Sequence, residues 1–232
     1  MPNISRPVNT EAADDYLKAI LYLSGPGGAA VTSNALADTL GVRPASVTGM
    51  LKKLSTMEPP LVRYEKNHGV RLSQRGRKRA LEILRHHRLL ERFLHDALGY
   101  AWDEVHEEAE RLEHYISEKL EDRIAAKLGD PQVDPHGHAI PERNGALPDR
   151  LETSLSKWAC GVPAVISSVS DRDSAELREV KRLGLLPGLE ITVRAGVRSP
   201  SLLLEAGKER KSVRVGKKMA AHIYVIAANA VS

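Results

Sequence analysis

The sequence is poor in the residues that define several large protein classes. Only one cysteine, Cys160, stands among 232 residues, so an intrachain disulfide and a metal site built from thiolates alone are both excluded. Aromatic residues make up 4%, and no apolar run approaches the roughly 18 residues that a membrane-spanning helix needs. The first 15 residues lack the basic-then-apolar order of a secretory signal. We therefore expect a cytoplasmic protein without a membrane partner.

The charges that are present are distributed unevenly. Residues 1–80 carry 12 Lys and Arg against 6 Asp and Glu, and residues 151–232 carry 13 against 8. Residues 81–150 carry 9 against 16, and they also hold seven of the nine histidines. A basic end favours a polyanionic partner, whereas an acidic, histidine-rich centre favours a cation.

The amino-terminal segment has the pattern of a winged helix-turn-helix. An apolar stripe over residues 16–23 predicts a first helix, and the N-cap candidates Thr32 and Ser33 predict the start of a second. Gly41 supplies a tight turn before a third helix that begins at Pro44. Two short helices joined in this way predict a helix-turn-helix, and a strand hairpin predicted over residues 61–72 would form the wing.

The amino-terminal part of the third helix is expected to face base edges in the major groove of DNA. Arg43 could read guanine, whereas Ala45 and Gly49 offer little direct readout, so we expect DNA shape and backbone contacts to contribute substantially. The alternative is a tri-helical fold that serves protein contacts, with the basic residues as a solvated face. The candidate DNA-contacting residues of helix and wing are Arg43, Ala45, Ser46, Thr48, Gly49, Lys52, Lys53, Lys66, Asn67 and His68.

Carboxylates and imidazoles recur at helical spacing in the acidic segment. A single helix is predicted over about 103–128, and four donors would share one face of it: His106, Glu110, Glu113 and His114. On the preceding helix, His87 and Glu91 form another pair four residues apart. The alternative is that each of these side chains is solvated or satisfied structurally. Zinc-protease motifs and paired Glu-x-x-His motifs are absent, so the spacing favours a divalent-metal site of another kind.

The last 70 residues have the pattern of a small β-domain. After a Pro/Gly-rich stretch and a short helix predicted at about 151–158, strands are predicted over 164–169, 190–194, 212–215 and 222–226, with one helix over 174–183. Several short strands separated by turn signals predict a small barrel.

In their order and spacing, these segments resemble the diphtheria toxin repressor family of metal-dependent transcriptional regulators, and within it the manganese-responsive branch. The resemblance is strongest in residues 87–92, 104–114 and 134–141, and residues 183–188 are similar to the SH3-like domain of longer members. The implied fold is mainly α with small β parts. It has a winged helix-turn-helix (1–80), a helical dimerisation and metal-binding domain (81–160) and an SH3-like, FeoA-type β-barrel (161–232).

The resemblance also implies two metal sites. By position, the primary ligands are Asp15, Glu110, Glu113 and His114, the ancillary ligands are His87, Glu91 and His106, and the SH3-like domain adds Asp173 and Glu176. Iron-responsive members carry sulfur ligands where Asp15 and Glu110 stand. Carboxylates make the site harder, which suits Mn²⁺, with Fe²⁺ or another divalent transition metal as the alternative.

Lys18 departs from the pattern of the small manganese-responsive members. These carry a glutamate three positions after the first-helix aspartate, which is the position of Lys18 here. A lysine there would repel a second ion beside the first. We therefore expect the His87 cluster to hold the second ion.

The implied function is a homodimeric regulator of metal homeostasis genes, in which metal binding fixes the dimer for recognition of double-stranded operator DNA. The alternative is a metal-dependent hydrolase that its winged helix recruits to nucleic acid, but the sequence supplies no distinct general base for one. A metal buffer or carrier is a third possibility. We expect no enzymatic activity.

Overall fold

The structure is a computed structural model that describes residues 10–25, 27–148, 150–196 and 199–228. The chain divides into two compact units. Unit 1 takes residues 1–87, 111–121 and 141–147, and unit 2 takes residues 88–110, 122–140 and 148–232. Within the described ranges, no helix is both long enough and apolar enough to cross a membrane.

Unit 1 begins with the three predicted helices: α1 (Thr10–Ser24), α2 (Ser33–Leu40) and α3 (Pro44–Ser55). The side chain of Thr32 caps α2 by accepting a hydrogen bond from the N–H of Ala35. Gly41 ends α2 in the left-handed region at φ 63°, which a glycine adopts without steric cost. The helices enclose a core that includes Leu17, Ile20, Leu36, Leu51 and Leu54. The predicted helix-turn-helix is confirmed.

The predicted wing is also present. Strands β1 (Val62–Glu65) and β2 (Gly69–Leu72) pair antiparallel. Val70 exchanges two backbone hydrogen bonds, each of 2.9 Å, with Val31 in the segment before α2. The hairpin is thereby joined to the helices by main-chain bonds as well as by packing.

Three further helices follow: α4 (Gln74–Leu98), α5 (Val105–Leu112) and α6 (Glu118–Lys127). The prediction of one helix over 103–128 is wrong, because the chain leaves the helix after Leu112 and turns before α6. Ser117 begins α6, since its carbonyl accepts hydrogen bonds from the N–H groups of Leu120 and Glu121. Glu113 and His114 therefore lie in a turn, not on a helix face shared with His106 and Glu110.

Unit 2 contains a six-stranded antiparallel sheet in the order β3-β8-β4-β5-β6-β7. The strands are β3 (Thr153–Ser154), β4 (Pro163–Val169), β5 (Glu190–Ala195), β6 (Ser201–Ala206), β7 (Lys211–Gly216) and β8 (Ile223–Ala227). Helices α7 (Ser174–Arg182) and α8 (Lys217–Ala220) accompany it. Its core includes Leu155, Ile166, Leu177, Leu202 and Val225. The predicted carboxyl-terminal β-domain is confirmed.

Two local predictions in this region are corrected. The segment 151–158 is not an α-helix, because it contains β3 and a single 3₁₀ turn over Leu155–Lys157. Strand β6 was not predicted, although its side chains alternate between buried and half-buried as a strand with one face in the core does.

A loop over residues 134–140 lies directly against β4. The carbonyl of His136 accepts a hydrogen bond of 3.0 Å from the N–H of Val169. Gly137 has φ 91°, and a Cβ there would lie 2.1 Å from the carbonyl oxygen of Ser167. Only glycine fits this crossing.

Candidate metal centres and nucleic-acid interface

Three donors meet in unit 1. Asp15 comes from α1, whereas Glu113 and His114 come from the turn between α5 and α6, and each offers a ligand atom within 4.8 Å of the others. His114 Nε2 lies 3.2 Å from Asp15 Oδ1 and 3.4 Å from Glu113 Oε1. The buried Nδ1 of His114 has no hydrogen-bond partner among the described residues. These three residues are called the unit 1 cluster.

The carboxylate of Glu113 is fully buried and bonded at both oxygens. Lys18 Nζ donates a hydrogen bond of 2.6 Å to Oε1, and His87 Nδ1 lies 2.6 Å from Oε2. Burial alone would raise the pKa of Glu113, but the hydrogen bonds and charge of His87 and Lys18 hold that pKa below its usual value. Glu113 is therefore an anion inside the protein.

A second set of contacts fixes the turn that carries these donors. His86 Nδ1 lies 3.1 Å from the carbonyl oxygen of Glu113, and its Nε2 lies 3.0 Å from Glu121 Oε2. Arg85 donates to Glu121 at 2.5 Å and to the carbonyl of Pro141 at 2.8 Å. Burial disfavours the charged imidazole, but the bonds to Glu121 and to the Glu113 carbonyl leave the pKa of His86 above its usual value.

Four donors meet in unit 2. One ligand atom from each of Asp134, His136, His138 and Asp171 lies within 4.8 Å of the others. His138 Nδ1 is 3.1 Å from Asp134 Oδ2 and 3.6 Å from Asp171 Oδ2. This set is called the unit 2 cluster. These four residues were not predicted to be ligands, although the alternation Asp-x-His-x-His at 134–138 is a usable signal.

Two predicted ancillary ligands adjoin the unit 2 cluster. His106 Nδ1 lies 3.2 Å from Glu91 Oε1 and 3.6 Å from Asp171 Oδ2. Glu91 is fully buried, and its Oε1 lies 3.7 Å from Nδ1 of His136. The structure thus brings Glu91 and His106 close to Asp171, which lies in the segment between β4 and α7.

The ring of His136 is held in the orientation that a metal ligand needs. Its Nε2 lies 2.9 Å from the carbonyl oxygen of Trp102, so Nε2–H donates there. Its Nδ1 is buried and has no hydrogen-bond partner in the part of the chain that the structure describes. Burial favours the neutral ring, but the carboxylates of Glu91, Asp134 and Asp171 raise the pKa of His136 to about 9. An entering cation would therefore displace a proton.

Three further predicted ligands, Glu110, Asp173 and Glu176, make contacts within unit 2. Glu110 belongs to unit 2, where its Oε1 is 3.9 Å from His106 Nε2. The carboxylate of Asp173 caps α7 by accepting from the N–H groups of Ala175 and Glu176. Glu176 Oε2 lies 2.7 Å from His222 Nδ1. The structure does not bring Asp173 or Glu176 to the donor clusters, because both carboxylates are engaged at α7.

The candidate DNA-contacting residues lie on an exposed face of unit 1. Thr48 and Lys52 of α3 and Lys66 and Asn67 of the wing line one groove of about 510 Å³. Thr32, Ser33 and Asn34, at the start of α2, line the same groove and were not among the predicted DNA-contacting residues. The other candidates are exposed outside the groove: Arg43, Ala45, Ser46, Gly49, Lys53 and His68.

Three family profiles together match most of the chain. Residues 9–70 match the iron dependent repressor N-terminal DNA binding domain, and residues 73–142 match the iron dependent repressor metal binding and dimerisation domain. Residues 153–227 match the FeoA domain.

Individual relatives agree with these profiles. The iron-dependent repressor IdeR of Mycobacterium leprae is 32% identical over 161 residues, which are 64% of this chain and 70% of the relative. For the Mycobacterium tuberculosis protein of the same name, the match spans 63% of the relative's length. The transcriptional regulator MntR of Geobacillus kaustophilus is 36% identical over 50% of this chain and 79% of its own.

Solved structures of repressors share the fold over nearly the full chain. A manganese-dependent transcriptional repressor in complex with manganese superimposes with a TM-score of 0.85 at 35% identity, covering 93% of this chain and 99% of that one. ScaR with bound Zn²⁺ does so with a TM-score of 0.76 at 31% identity, covering 93% and 99%. Because these relatives are repressors, the hydrolase alternative is set aside. The chain belongs to the diphtheria toxin repressor family of metal-dependent, DNA-binding transcriptional repressors, with a FeoA domain at its carboxyl end.

Proposed function

We propose that this chain is a manganese-responsive repressor in which one divalent ion joins α1 to the turn between α5 and α6. Asp15, Glu113 and His114 would hold the ion, and Glu110 remains a predicted ligand of the primary set. The observation that carries the proposal is the unit 1 cluster, whose donors come from two elements separated by about 90 residues and meet within 4.8 Å. Carboxylate oxygens with one imidazole suit a hard divalent ion such as Mn²⁺.

The position of Asp15 gives the ion its effect on DNA binding. On the same helix, Leu17 and Ile20 are fully buried in the core that α1 shares with α2 and α3. An ion that fixes α1 therefore also fixes the recognition helix. In a homodimer, operator DNA would bind best to the arrangement of recognition helices that the ion stabilises. A typical coupling free energy between two ligands of about 1–3 kcal/mol corresponds to a change of about 5–150-fold in operator affinity.

We propose that the unit 2 cluster, with Glu91 and His106 beside it, holds a second divalent ion. The cluster offers two imidazoles and two carboxylates, a donor set that first-row transition metals bind. The Nδ1 of His136 is buried and has no hydrogen-bond partner among the described residues. Asp171 would then supply one oxygen donor in place of the two that the resemblance assigned to Asp173 and Glu176. His87 remains a predicted ligand of the ancillary set.

The test of the first site is a matched pair of glutamate variants. Glu113→Gln keeps the shape of the side chain but removes its charge, whereas Glu118→Gln makes the same change at an exposed position of α6. We expect Mn²⁺ to tighten the binding of wild type and of Glu118→Gln to a duplex selected from a random pool, measured by fluorescence anisotropy at one salt concentration. Glu113→Gln should lose this stimulation. Full stimulation in Glu113→Gln would refute the site.

The choice of metal is tested by operator affinity at saturation, not by metal affinity. Zn²⁺ should bind the donors more tightly than Mn²⁺ whatever the biological metal is, because affinity follows the Irving–Williams order. We expect the Mn²⁺-saturated protein to bind the selected duplex at least as tightly as the Zn²⁺- or Fe²⁺-saturated protein. Ion binding with no preference for any duplex would instead indicate a metal buffer.

A further inference from the structure

We infer that Lys18 is a tethered cation that takes the place of the metal ion at Glu113 when the metal is absent. In this role, Lys18 sets the Mn²⁺ concentration at which the unit 1 site fills. The inference rests on the proposed function, since it concerns the regulation of the same site. The sequence led us to expect that Lys18 repels a second ion. The inference here concerns the first ion, which must break the bond between Lys18 and Glu113.

Lys18 and Glu113 form a short and largely buried ion pair. Lys18 Nζ lies 2.6 Å from Glu113 Oε1, with 16% of the lysine side chain and none of the glutamate side chain exposed. Asp15 and Lys18 are three residues apart on α1, so their side chains share one face of the helix. The ammonium group therefore reaches the donor cluster from the same direction as the carboxylate of Asp15.

The buried charge explains why a cation is needed there. A carboxylate that is removed from water is costly unless a positive group compensates it. Glu113 is fully buried, and Lys18 and His87 each bind one of its oxygens. In the metal-free protein, Lys18 thus keeps the turn that carries Glu113 bonded to α1, which are the same two elements that the ion would join.

Competition with the ion follows from the same contact. A divalent cation that binds Glu113 Oε1 must either displace Lys18 Nζ or lie within a few ångströms of a positive charge. Both events lower the affinity for the metal, because a like charge at that distance opposes a second cation. The site should therefore fill only at a higher Mn²⁺ concentration than the same donors would require without the lysine.

The experiment compares Lys18→Met with Lys119→Met in the full chain. Lys119 is an exposed residue of α6, so both variants lose one positive charge and gain a similar apolar chain. Mn²⁺ is titrated by calorimetry, and the binding step that Glu113→Gln abolishes is the step compared. We expect this step to be about tenfold tighter or more in Lys18→Met than in Lys119→Met or wild type.

A second readout does not require the metal. In excess chelator, Lys18→Met should melt at a lower temperature than Lys119→Met, because the buried carboxylate of Glu113 then loses the ammonium group bound to its Oε1. Should Lys18→Met fail to fold, Lys18→Gln makes the same charge change with a polar side chain. Equal Mn²⁺ affinity or equal metal-free melting in the two lysine variants would overturn the inference.

Failure of the underlying site gives a different result. If Glu113→Gln retains every Mn²⁺-binding step of the wild type, the proposed site is refuted, and the inference about Lys18 is refuted with it. If Glu113→Gln loses one step while Lys18→Met and Lys119→Met bind alike, the site stands and only the role of Lys18 is refuted.

Discussion

Gly137 lies where the loop over residues 134–140 crosses β4, and the donors of the unit 2 cluster flank it on both sides. Its φ is 91°, and an added Cβ would lie 2.1 Å from the carbonyl oxygen of Ser167. The backbone fixes the position of the Cβ, and the other partner is a backbone oxygen, so a rotamer change cannot relieve the contact. We predict that Gly137→Ala lowers the free energy of unfolding of unit 2 by about 3 kcal/mol, of which roughly 1–2 kcal/mol comes from the left-handed backbone and the rest from the forced displacement.

The matched control for this prediction is Gly161→Ala. Gly161 has φ 81° and lies in the same unit, but nothing stands within 4 Å of its Cβ position. This variant should show only the roughly 1–2 kcal/mol backbone penalty. Both tryptophans, Trp102 and Trp158, lie in unit 2, so urea unfolding followed by tryptophan fluorescence reports on the unit concerned. Equal destabilisation by the two substitutions would contradict the close approach.

The recognition helix α3 should contribute sequence specificity. Arg43 is exposed at the start of α3, and its side chain makes no capping hydrogen bond. Its guanidinium group can therefore bind two acceptors of one guanine. We predict that Arg43→Ala costs about 1–3 kcal/mol on the selected duplex and less on random DNA, without a change in Mn²⁺ affinity. A loss of equal size on every duplex, measured by anisotropy, would contradict base reading.

The wing, in contrast, should contribute affinity without specificity. Lys66 lines the groove with Thr48 and Lys52 and is exposed, as a residue that contacts phosphate would be. We predict that Lys66→Ala weakens binding to all duplexes alike and reduces the slope of log affinity against log salt by about one. Titrations at several KCl concentrations measure the slope, with Lys119→Ala as a control of equal charge. An unchanged slope would show that Lys66 does not contact a phosphate group.

The helix-turn-helix and the wing could be predicted from the sequence because their signals are local. The capping oxygen of Thr32 and the left-handed Gly41 each specify a boundary within a few residues, and Pro44 marks the next helix start. The core follows from apolar spacing alone. Such elements need no knowledge of the rest of the chain.

The break between α5 and α6 could not be predicted in this way. Residues 113–117 contain neither glycine nor proline, so the helical pattern continues through them. What holds the turn is remote in sequence: Lys18 and His87 bind the side chain of Glu113, and His86 contacts its carbonyl. Donor atoms of Glu113 and His114 do lie within 4.8 Å of one from Asp15, although the helix face from which these two residues were inferred does not exist. The ligand roles themselves remain a prediction.

The unit 2 cluster was missed for a related reason. Its histidines lie in a loop, where no periodic pattern places them on a common face, and Asp171 comes from a separate segment 33 residues after His138. The loop lies against β4 at Gly137, and this contact is not evident from the sequence. The three-domain division predicted at 1–80, 81–160 and 161–232 also stays a prediction, since the compact units of the structure interleave segments of the chain.

A protein that binds a metal ion and an operator through one network of contacts must couple the two ligands in both directions. If Mn²⁺ raises operator affinity by some factor, the operator must raise Mn²⁺ affinity by the same factor, because the four equilibria form a closed cycle. Few contacts separate the two binding sites. Asp15 of the unit 1 cluster lies on α1, and α1 and α3 pack into the same hydrophobic core. The coupling should therefore depend on Glu113 and His114.

We predict equal coupling factors of about 5–150 when Mn²⁺ is titrated with and without saturating duplex, and when duplex is titrated with Mn²⁺ and with chelator. Calorimetry gives the first pair of affinities and anisotropy the second, at one salt concentration throughout, because salt alone changes DNA affinity strongly. Glu113→Gln should bring both factors close to one, whereas Glu118→Gln should leave them unchanged. Two unequal factors in the wild type would mean that a further ligand or assembly step enters the cycle. A factor of one in both directions would mean that the ion does not control the recognition helix at all.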